Sequence, residues 1–80
     1  MNINNVVALL REEIAMVAGI ARDEVKVEMS LTENGVNSLG FVELMLAIEQ
    51  QFGVKLMDSG LSRENLASIT ALAEKIIELV

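Results

Sequence analysis

Apolar residues recur at spacings of three and four along three separate segments of this 80-residue chain. Such spacing places them on one face of a helix, which then has to be buried against other helices. The first segment runs roughly from Asn5 to Ala18, and Gly19 follows it as a left-handed stop. Its predicted inward residues are Val7, Leu10, Ile14 and Val17. We therefore expect an all-α protein.

A second amphipathic segment predicts a helix that begins near Asn37 or Ser38 and ends near Phe52, with Gly53 as its stop. The face assigned to the core contains Phe41, Leu44, Met45, Ile48 and Phe52. The opposite side contains Leu39, Val42, Glu43, Leu46, Glu49 and Gln50. Apolar residues exposed between carboxylates have the form of a protein-docking surface, although isolated surface leucines are also common.

The last third of the chain predicts a short helical turn from Ser62 to Leu66 and a final helix capped by Ser68. The predicted inward residues of this final helix are Ile69, Leu72, Ile76 and Leu79 or Val80. The expected fold is a small four-helix bundle in a single domain, residues 1–80, with a short third helix.

A long connection, Ile20 to Gly35, separates the first two predicted helices. Alternating residues within it could form a strand, but a lone strand would have no partner. We expect an ordered loop with four apolar anchors, which are Val25, Val27, Met29 and Leu31.

Composition restricts the possible functions. The chain contains no histidine, cysteine, tryptophan or tyrosine, and it is too small to enclose a deep active site unaided, so catalysis is disfavoured. Its net charge of −6 repels nucleic acids and anionic lipids. A secretory signal and a long apolar run are both missing, so we expect a cytoplasmic protein without membrane insertion.

The segment Gly35-Val36-Asn37-Ser38-Leu39 places a serine hydroxyl at the start of the second predicted helix. Unpaired N–H groups and the helix dipole favour a phosphodiester at such a position. The simpler interpretation is that Ser38 only caps the helix.

This segment, together with Val42-Glu43-Leu44, Ile48-Glu49 and Phe52-Gly53-Val54, resembles the acyl carrier protein family, including its peptidyl and aminoacyl carriers. The similarity extends over nearly the whole chain. It implies a fold of acyl-carrier-protein type. It also implies that a transferase attaches phosphopantetheine from coenzyme A to Ser38, between Asn37 and Leu39. The thiol of this group would carry an acyl or aminoacyl unit as a thioester.

The resemblance also implies partner enzymes with basic docking patches, belonging to a fatty-acid, polyketide or related specialised pathway. The residues expected to dock are Leu39, Val42, Glu43, Leu46 and Glu49. We expect a monomeric carrier that does not bind nucleic acid. A free-standing protein is favoured over a domain excised from a larger synthase, which is the alternative.

Two departures from the family pattern bear on function. Asn37 stands where the family usually has an aspartate that helps the transferase and, in many members, its magnesium ion. Gln50 and Gln51 replace an acidic pair that is frequent in fatty-acid carriers. Fewer carboxylates weaken steering toward basic partners and reduce its salt dependence, which favours a dedicated pathway carrier.

Two other functions compete with the carrier. The stronger is an unmodified helical adaptor or dimerisation domain that docks through the second helix. The weaker is an enzyme with Ser38 as nucleophile, since without histidine the base would have to be Lys26, Lys55 or Lys75, which no motif places near the serine.

Two remaining groups of residues support less specific interpretations. The acidic pairs Glu12-Glu13 and Asp23-Glu24 could attract a cation, but such pairs are usually solvated, and we predict no metal site. The side chains of Met16, Met29, Met45 and Met57 either fill the core or line a flexible acyl pocket.

Overall fold

The computed structural model describes residues 2–80, in which all regular secondary structure is helical and no strand is present. Its three α-helices are α1 (Ile3–Ala18), α2 (Ser38–Phe52) and α3 (Ile69–Leu79). Three short 3-10 turns lie in the connections, at Arg22–Glu24, Leu56–Asp58 and Glu64–Leu66. The all-α prediction is confirmed.

The fourth helix of the predicted bundle is not present as an α-helix. The segment Ser62 to Leu66 forms only the three-residue 3-10 turn at its end. The Asn65 side chain accepts hydrogen bonds from the Ser62 N–H and hydroxyl, at 2.9 and 2.8 Å. Side chains that bond nearby backbone in this way favour a turn over a helix.

The first helix begins earlier than predicted and presents a slightly different face. Its N-cap is Asn2, whose side chain accepts from the Asn4 N–H at 2.7 Å. Gly19 ends it in the left-handed conformation, as expected. The fully buried residues of α1 are spaced strictly by four, and residues with this spacing form the ridge that packs against a neighbouring helix. The predicted Val7 and Val17 lie beside this ridge and are only half-buried. The ridge contains Val6, Leu10 and Ile14.

The last helix packs against α1 and closes the core. Ser68 caps it, accepting from the Ala71 N–H at 3.0 Å, as predicted. Its predicted inward residues Ile69, Leu72 and Ile76 are buried, and Ala73 joins them. The prediction for Leu79 and Val80 is wrong, because both lie exposed at the end of the chain.

The long connection between α1 and α2 is an ordered loop, as predicted. Val25 and Leu31 anchor it in the core, whereas Val27 is half-buried and Met29 is exposed. The Ile69 N–H donates to the Met29 carbonyl at 3.2 Å, and the Thr70 N–H donates to the Val27 carbonyl at 3.1 Å. The loop is therefore attached to the first turn of α3.

None of the helices in residues 2–80 combines the length and the apolar character that crossing a membrane requires.

Candidate functional site

Ser38 is the first residue of α2, and it is not the residue that caps the helix. The cap is Asn37, whose side-chain oxygen accepts from the Gly40 N–H at 2.8 Å. The first backbone bond of the helix runs from the Phe41 N–H to the Asn37 carbonyl, also at 2.8 Å. The interpretation of Ser38 as merely a helix cap is therefore wrong, and its exposed side chain is left for another role.

The surroundings of Ser38 suit a phosphodiester. In an α-helix the N–H groups of the first residues have no partner within the helix, and here Asn37 occupies only that of Gly40. The N–H groups of Ser38 and Leu39 remain at the positive end of the helix dipole. On α2 the first carboxylate is that of Glu43, more than one turn further along. A negatively charged group on Ser38 would therefore meet donors and no adjacent repelling charge.

Close packing fixes the start of α2 against the body of the protein. Val36 is buried just before the cap, and its N–H donates to the Leu31 carbonyl at 3.0 Å. Gly40 is also buried, and a Cβ at this position would lie 3.3 Å from Val36 Cγ1 and 3.6 Å from Val17 Cβ. The absence of a side chain at Gly40 thus lets the first turn of α2 approach α1 closely.

The predicted exposed face of α2 is present. Leu39, Val42 and Leu46 have exposed fractions of 70%, 54% and 57%. Glu43 beside them is exposed, and Glu49 is half-buried. On the inward face Leu44, Met45 and Ile48 are buried, whereas Phe41 and Phe52 are half-buried at its edges.

Two cavities adjoin this face of α2 and share Phe41 and Val42. One, of about 410 Å³, lies beside Ser38 and is completed by Leu31, Thr32, Val36 and Asn37. The other, of about 350 Å³, is an apolar groove between α2 and the Leu56–Asp58 turn. Its remaining lining residues are Met45, Leu46, Glu49, Lys55, Leu56, Met57 and Asp58.

The four methionines considered for the acyl pocket, Met16, Met29, Met45 and Met57, lie in different surroundings. Only Met45 is buried, so for the exposed Met16, Met29 and Met57 the core-filling interpretation is wrong. Met45 and Met57 line the apolar groove, and Met16 and Met29 do not. A flexible thioether at two positions suits a groove whose contents vary in shape.

None of the side chains considered for other chemistry lines the cavity beside Ser38. No lysine and no carboxylate lines the cavity beside the serine. Lys75 lies 3.7 Å from the Glu78 carboxylate, and Glu12 lies 3.8 Å from Arg22. Residues 2–80 contain no group of three or more aspartate or glutamate side chains that could hold a metal ion.

One glutamine of the pair that replaces the family's acidic residues has a structural role. The Gln51 amide donates to the Glu13 carboxylate on α1 at 2.9 Å. Its neighbour Gln50 is exposed. The acidic side chain of α1 thus finds a donor at position 51, where a second carboxylate would repel it.

Two residues of the loop before Ser38 were missed by sequence reasoning. Asn34 is buried and bonded across the loop, and no local pattern distinguishes it from a solvated loop asparagine. Glu33 forms a reciprocal pair with Ser30, in which each side chain accepts from the other's backbone N–H at 2.9 and 3.1 Å. The Ser30 N–H, and then the Ser30 hydroxyl, lower the pKa of Glu33 below its ordinary value. The S-x-x-E spacing from Ser30 to Glu33 is the sequence signal that would have predicted this pair.

Residues 8–76 of the chain match the family model described as "Phosphopantetheine attachment site". The match includes the exposed serine at the start of α2 and every buried core residue except Val6. The chain belongs to this family, and it is a carrier of covalently attached phosphopantetheine. Members of the family work with a phosphopantetheinyl transferase and with biosynthetic enzymes.

Individual carriers from three bacteria are similar to this chain. The acyl carrier protein of Campylobacter hominis is 36% identical over 61 residues, covering 75% of each chain. The acyl carrier protein of Acidothermus cellulolyticus is 44% identical over 50 residues, covering 61% of this chain and 60% of that protein. Aminoacyl carrier protein 2 of Bradyrhizobium diazoefficiens is 31% identical over 77 residues, covering 96% of this chain and 85% of that protein. Both acyl and aminoacyl carriers are therefore among its relatives.

Proposed function

We propose that Ser38 is the residue that carries phosphopantetheine, and that the protein presents an acyl group on this arm to the enzymes of a dedicated biosynthetic pathway. The observation that carries the proposal is the division of roles at the start of α2. Asn37 caps the helix, which leaves the Ser38 hydroxyl exposed beside two free helix N–H groups. A serine in this position is accessible to a transferase and suited to a phosphodiester.

In this proposal the chain supplies the attachment point and other enzymes supply the catalysis. The Ser38 oxygen attacks the phosphorus next to the pantetheine arm of coenzyme A and loses its proton. As this O–P bond forms, the P–O bond of the coenzyme A pyrophosphate breaks, and adenosine 3′,5′-bisphosphate leaves. The N–H groups of Ser38 and Leu39 then stabilise the phosphodiester. The uncharged cavity beside the serine provides no base of its own, so the transferase must accept the proton.

Partner enzymes would dock on the exposed face of α2. Leu39, Val42 and Leu46 form the apolar centre, and Glu43 and Glu49 flank it. An apolar centre with an acidic margin fits a partner whose own apolar surface is bordered by basic residues. A monomer in the cytoplasm, as expected from the sequence, accords with this role.

The apolar groove supports an acyl group as the cargo. Its lining side chains Met45, Leu56 and Met57, together with Phe41, offer contacts to a hydrocarbon chain. An aminoacyl cargo is the second candidate, and the similarity to aminoacyl carrier protein 2 over 96% of this chain favours it. An NMR comparison of the protein carrying an acyl group with the protein carrying an aminoacyl group distinguishes the two candidates. An apolar acyl group should shift the methyl signals of Met45 and Met57, whereas a cargo that leaves both unchanged would favour the aminoacyl function.

The attachment itself is tested by intact mass after incubation with coenzyme A, magnesium and a broad-specificity phosphopantetheinyl transferase. We expect the wild-type protein to gain one phosphopantetheine and a Ser38→Ala variant to gain none. If several transferases leave both the wild type and an Asn37→Asp variant unmodified, the unmodified adaptor replaces the carrier as the function of this chain.

A further inference from the structure

Asn34 is the one polar side chain that is buried in residues 2–80, and it lies four positions before Ser38. Its exposed fraction is 7%, although it belongs to a loop. Burying an amide costs free energy unless its polar atoms are hydrogen-bonded. The hydrogen bonds of Asn34 therefore show which parts of the loop it holds together.

The Asn34 side chain links the two ends of the loop's second half. Its oxygen accepts from the Lys26 N–H at 2.7 Å. Its amide nitrogen donates to the Lys26 carbonyl at 3.0 Å and to the Ser30 carbonyl at 2.8 Å. The backbone at Lys26 is thereby joined, eight residues along the chain, to the turn that precedes Ser38.

This link has a fixed support on one side and the modification site on the other. The segment that begins at Lys26 is attached to the first turn of α3 through the carbonyls of Val27 and Met29. On the other side, Leu31 and Thr32 form the wall of the cavity that faces Ser38. Asn34 therefore connects an anchored part of the protein to the surface that surrounds the serine.

We propose that Asn34 is a positioning residue for the modification of Ser38. By fixing the Leu31–Thr32 wall and the buried Val36 that leads into α2, it holds the hydroxyl in the orientation from which a docked transferase can use it. The exposed face of α2 makes the docking contact, so Asn34 affects the turnover of the docked complex and not its formation. This inference rests on the proposed attachment at Ser38.

The test compares an Asn34→Ala variant with a control of similar stability. Ile76→Val removes one buried methylene two turns beyond the loop contact on α3 and leaves the loop bonds intact. Both are assayed at a temperature where circular dichroism shows them fully folded. We expect kcat for phosphopantetheine transfer to fall between about tenfold and a hundredfold in Asn34→Ala, with KM for the carrier unchanged. The Ile76→Val variant should keep the wild-type kcat.

A wild-type kcat in folded Asn34→Ala, or a rise in KM alone, would overturn the proposal. Should Asn34→Ala not fold, Asn34→Asp keeps the acceptor for the Lys26 N–H and loses both donors, and it is held to the same criteria. Hydrogen exchange in the wild type tests independently whether the Asn34 side chain holds the loop. The Lys26 N–H donates to Asn34, so it should exchange far more slowly than in an unstructured peptide. Exchange at the unstructured rate would also overturn the proposal. Failure of the proposed attachment differs from all of these, since the wild type itself would then stay unmodified.

Discussion

Asn37 performs the capping role of an aspartate without its charge. Its side-chain oxygen accepts from the Gly40 N–H at 2.8 Å, which is the bond a carboxylate would make at the same position. The backbone at the start of α2 thus needs only a hydrogen-bond acceptor at position 37. A transferase that approaches Ser38 would also interact with the negative charge of an aspartate there, and asparagine lacks this charge. Stability and modification should therefore respond differently to substitutions at this residue.

An Asn37→Asp variant is expected to be more stable and to be modified faster. The carboxylate keeps the cap and adds a favourable interaction with the helix dipole of about 0.3–1 kcal/mol. Urea unfolding and the initial rate of phosphopantetheine transfer measure the two effects. Asn37→Ala is the control, because loss of the cap should cost about 0.5–2 kcal/mol. An unchanged transfer rate in Asn37→Asp would show that the missing charge has no bearing on the transferase.

Glu33 gives the loop a contribution to stability that depends on pH. Its pKa is lowered because the Ser30 N–H and then the Ser30 hydroxyl stabilise the carboxylate. A carboxyl whose pKa is lower in the folded state stabilises the protein above its unfolded pKa, about 4.3 for glutamate, and loses this effect as the pH falls through the folded pKa. In an NMR titration we expect the Glu33 pKa to rise toward its ordinary value in Ser30→Pro, which removes the N–H. A pKa that does not change would mean that Ser30 is not its cause.

At the scale of a single element, α2 separates stability from docking on its two faces. Leu44 is buried and Leu46 is more than half exposed, although they are two residues apart on the same helix. Core leucines contribute through burial and cavity terms, whereas exposed leucines contribute little to folding.

Leu46→Glu should therefore weaken docking and leave the fold intact. We expect KM for the transferase to rise, because an apolar contact is replaced by a charge, while the free energy of unfolding changes by less than about 0.5 kcal/mol. Leu44→Ala is the matched control and should lose about 2–5 kcal/mol of stability. Loss of helicity in Leu46→Glu, followed by circular dichroism, would show that the assignment of the two faces is wrong.

The C-terminal end of α2 explains one departure from the family pattern. Gln51 donates to Glu13 on α1, so a glutamate at position 51 would replace a hydrogen bond with repulsion. Gln51→Glu should lower stability by about 0.5–1.5 kcal/mol, and added salt should recover part of the loss. Gln50→Glu is the matched control, because both glutamines are exposed and only Gln51 is bonded to Glu13. Equal urea midpoints for the two variants would mean that the contact with Glu13 contributes nothing.

Over the whole molecule, local sequence signals were sufficient to predict where α2 begins and ends and much of α3. The capping residues Asn37 and Ser68 and the stop at Gly53 act on backbone groups a few residues away, so the sequence contains the information directly. Ser38 stands out by the same local signal, because it lies at one of these helix ends. Its role as the attachment residue is implied by the resemblance of the surrounding motif to the family, and it stays a prediction.

Features that depend on distant contacts could not be predicted. Whether Val6 or Val7 faces the core is decided by how α1 is rotated against α3, and a spacing of three or four fits both. Asn34 is buried only because the loop folds back so that Lys26 lies beside it. Leu79 continues an apolar pattern but lies beyond the buried part of α3, so the pattern alone misplaced it.

Of the five serines in the chain, Ser38 is the one that we propose carries the prosthetic group. The serines are Ser30, Ser38, Ser59, Ser62 and Ser68. Ser59 donates to the Leu56 carbonyl at 2.7 Å, and the side chains of Ser30, Ser62 and Ser68 all accept from nearby backbone N–H groups, so each of these four has a structural role.

The most direct measurement is peptide mapping by mass spectrometry of the protein modified by the transferase with coenzyme A. The protein is cleaved after glutamate, because cleavage at Glu33 separates Ser30 from Ser38. We expect phosphopantetheine on the peptide that contains Ser38 and on no other. Phosphopantetheine on a peptide containing any of the other four serines, with the Ser38 peptide unmodified, would contradict the account.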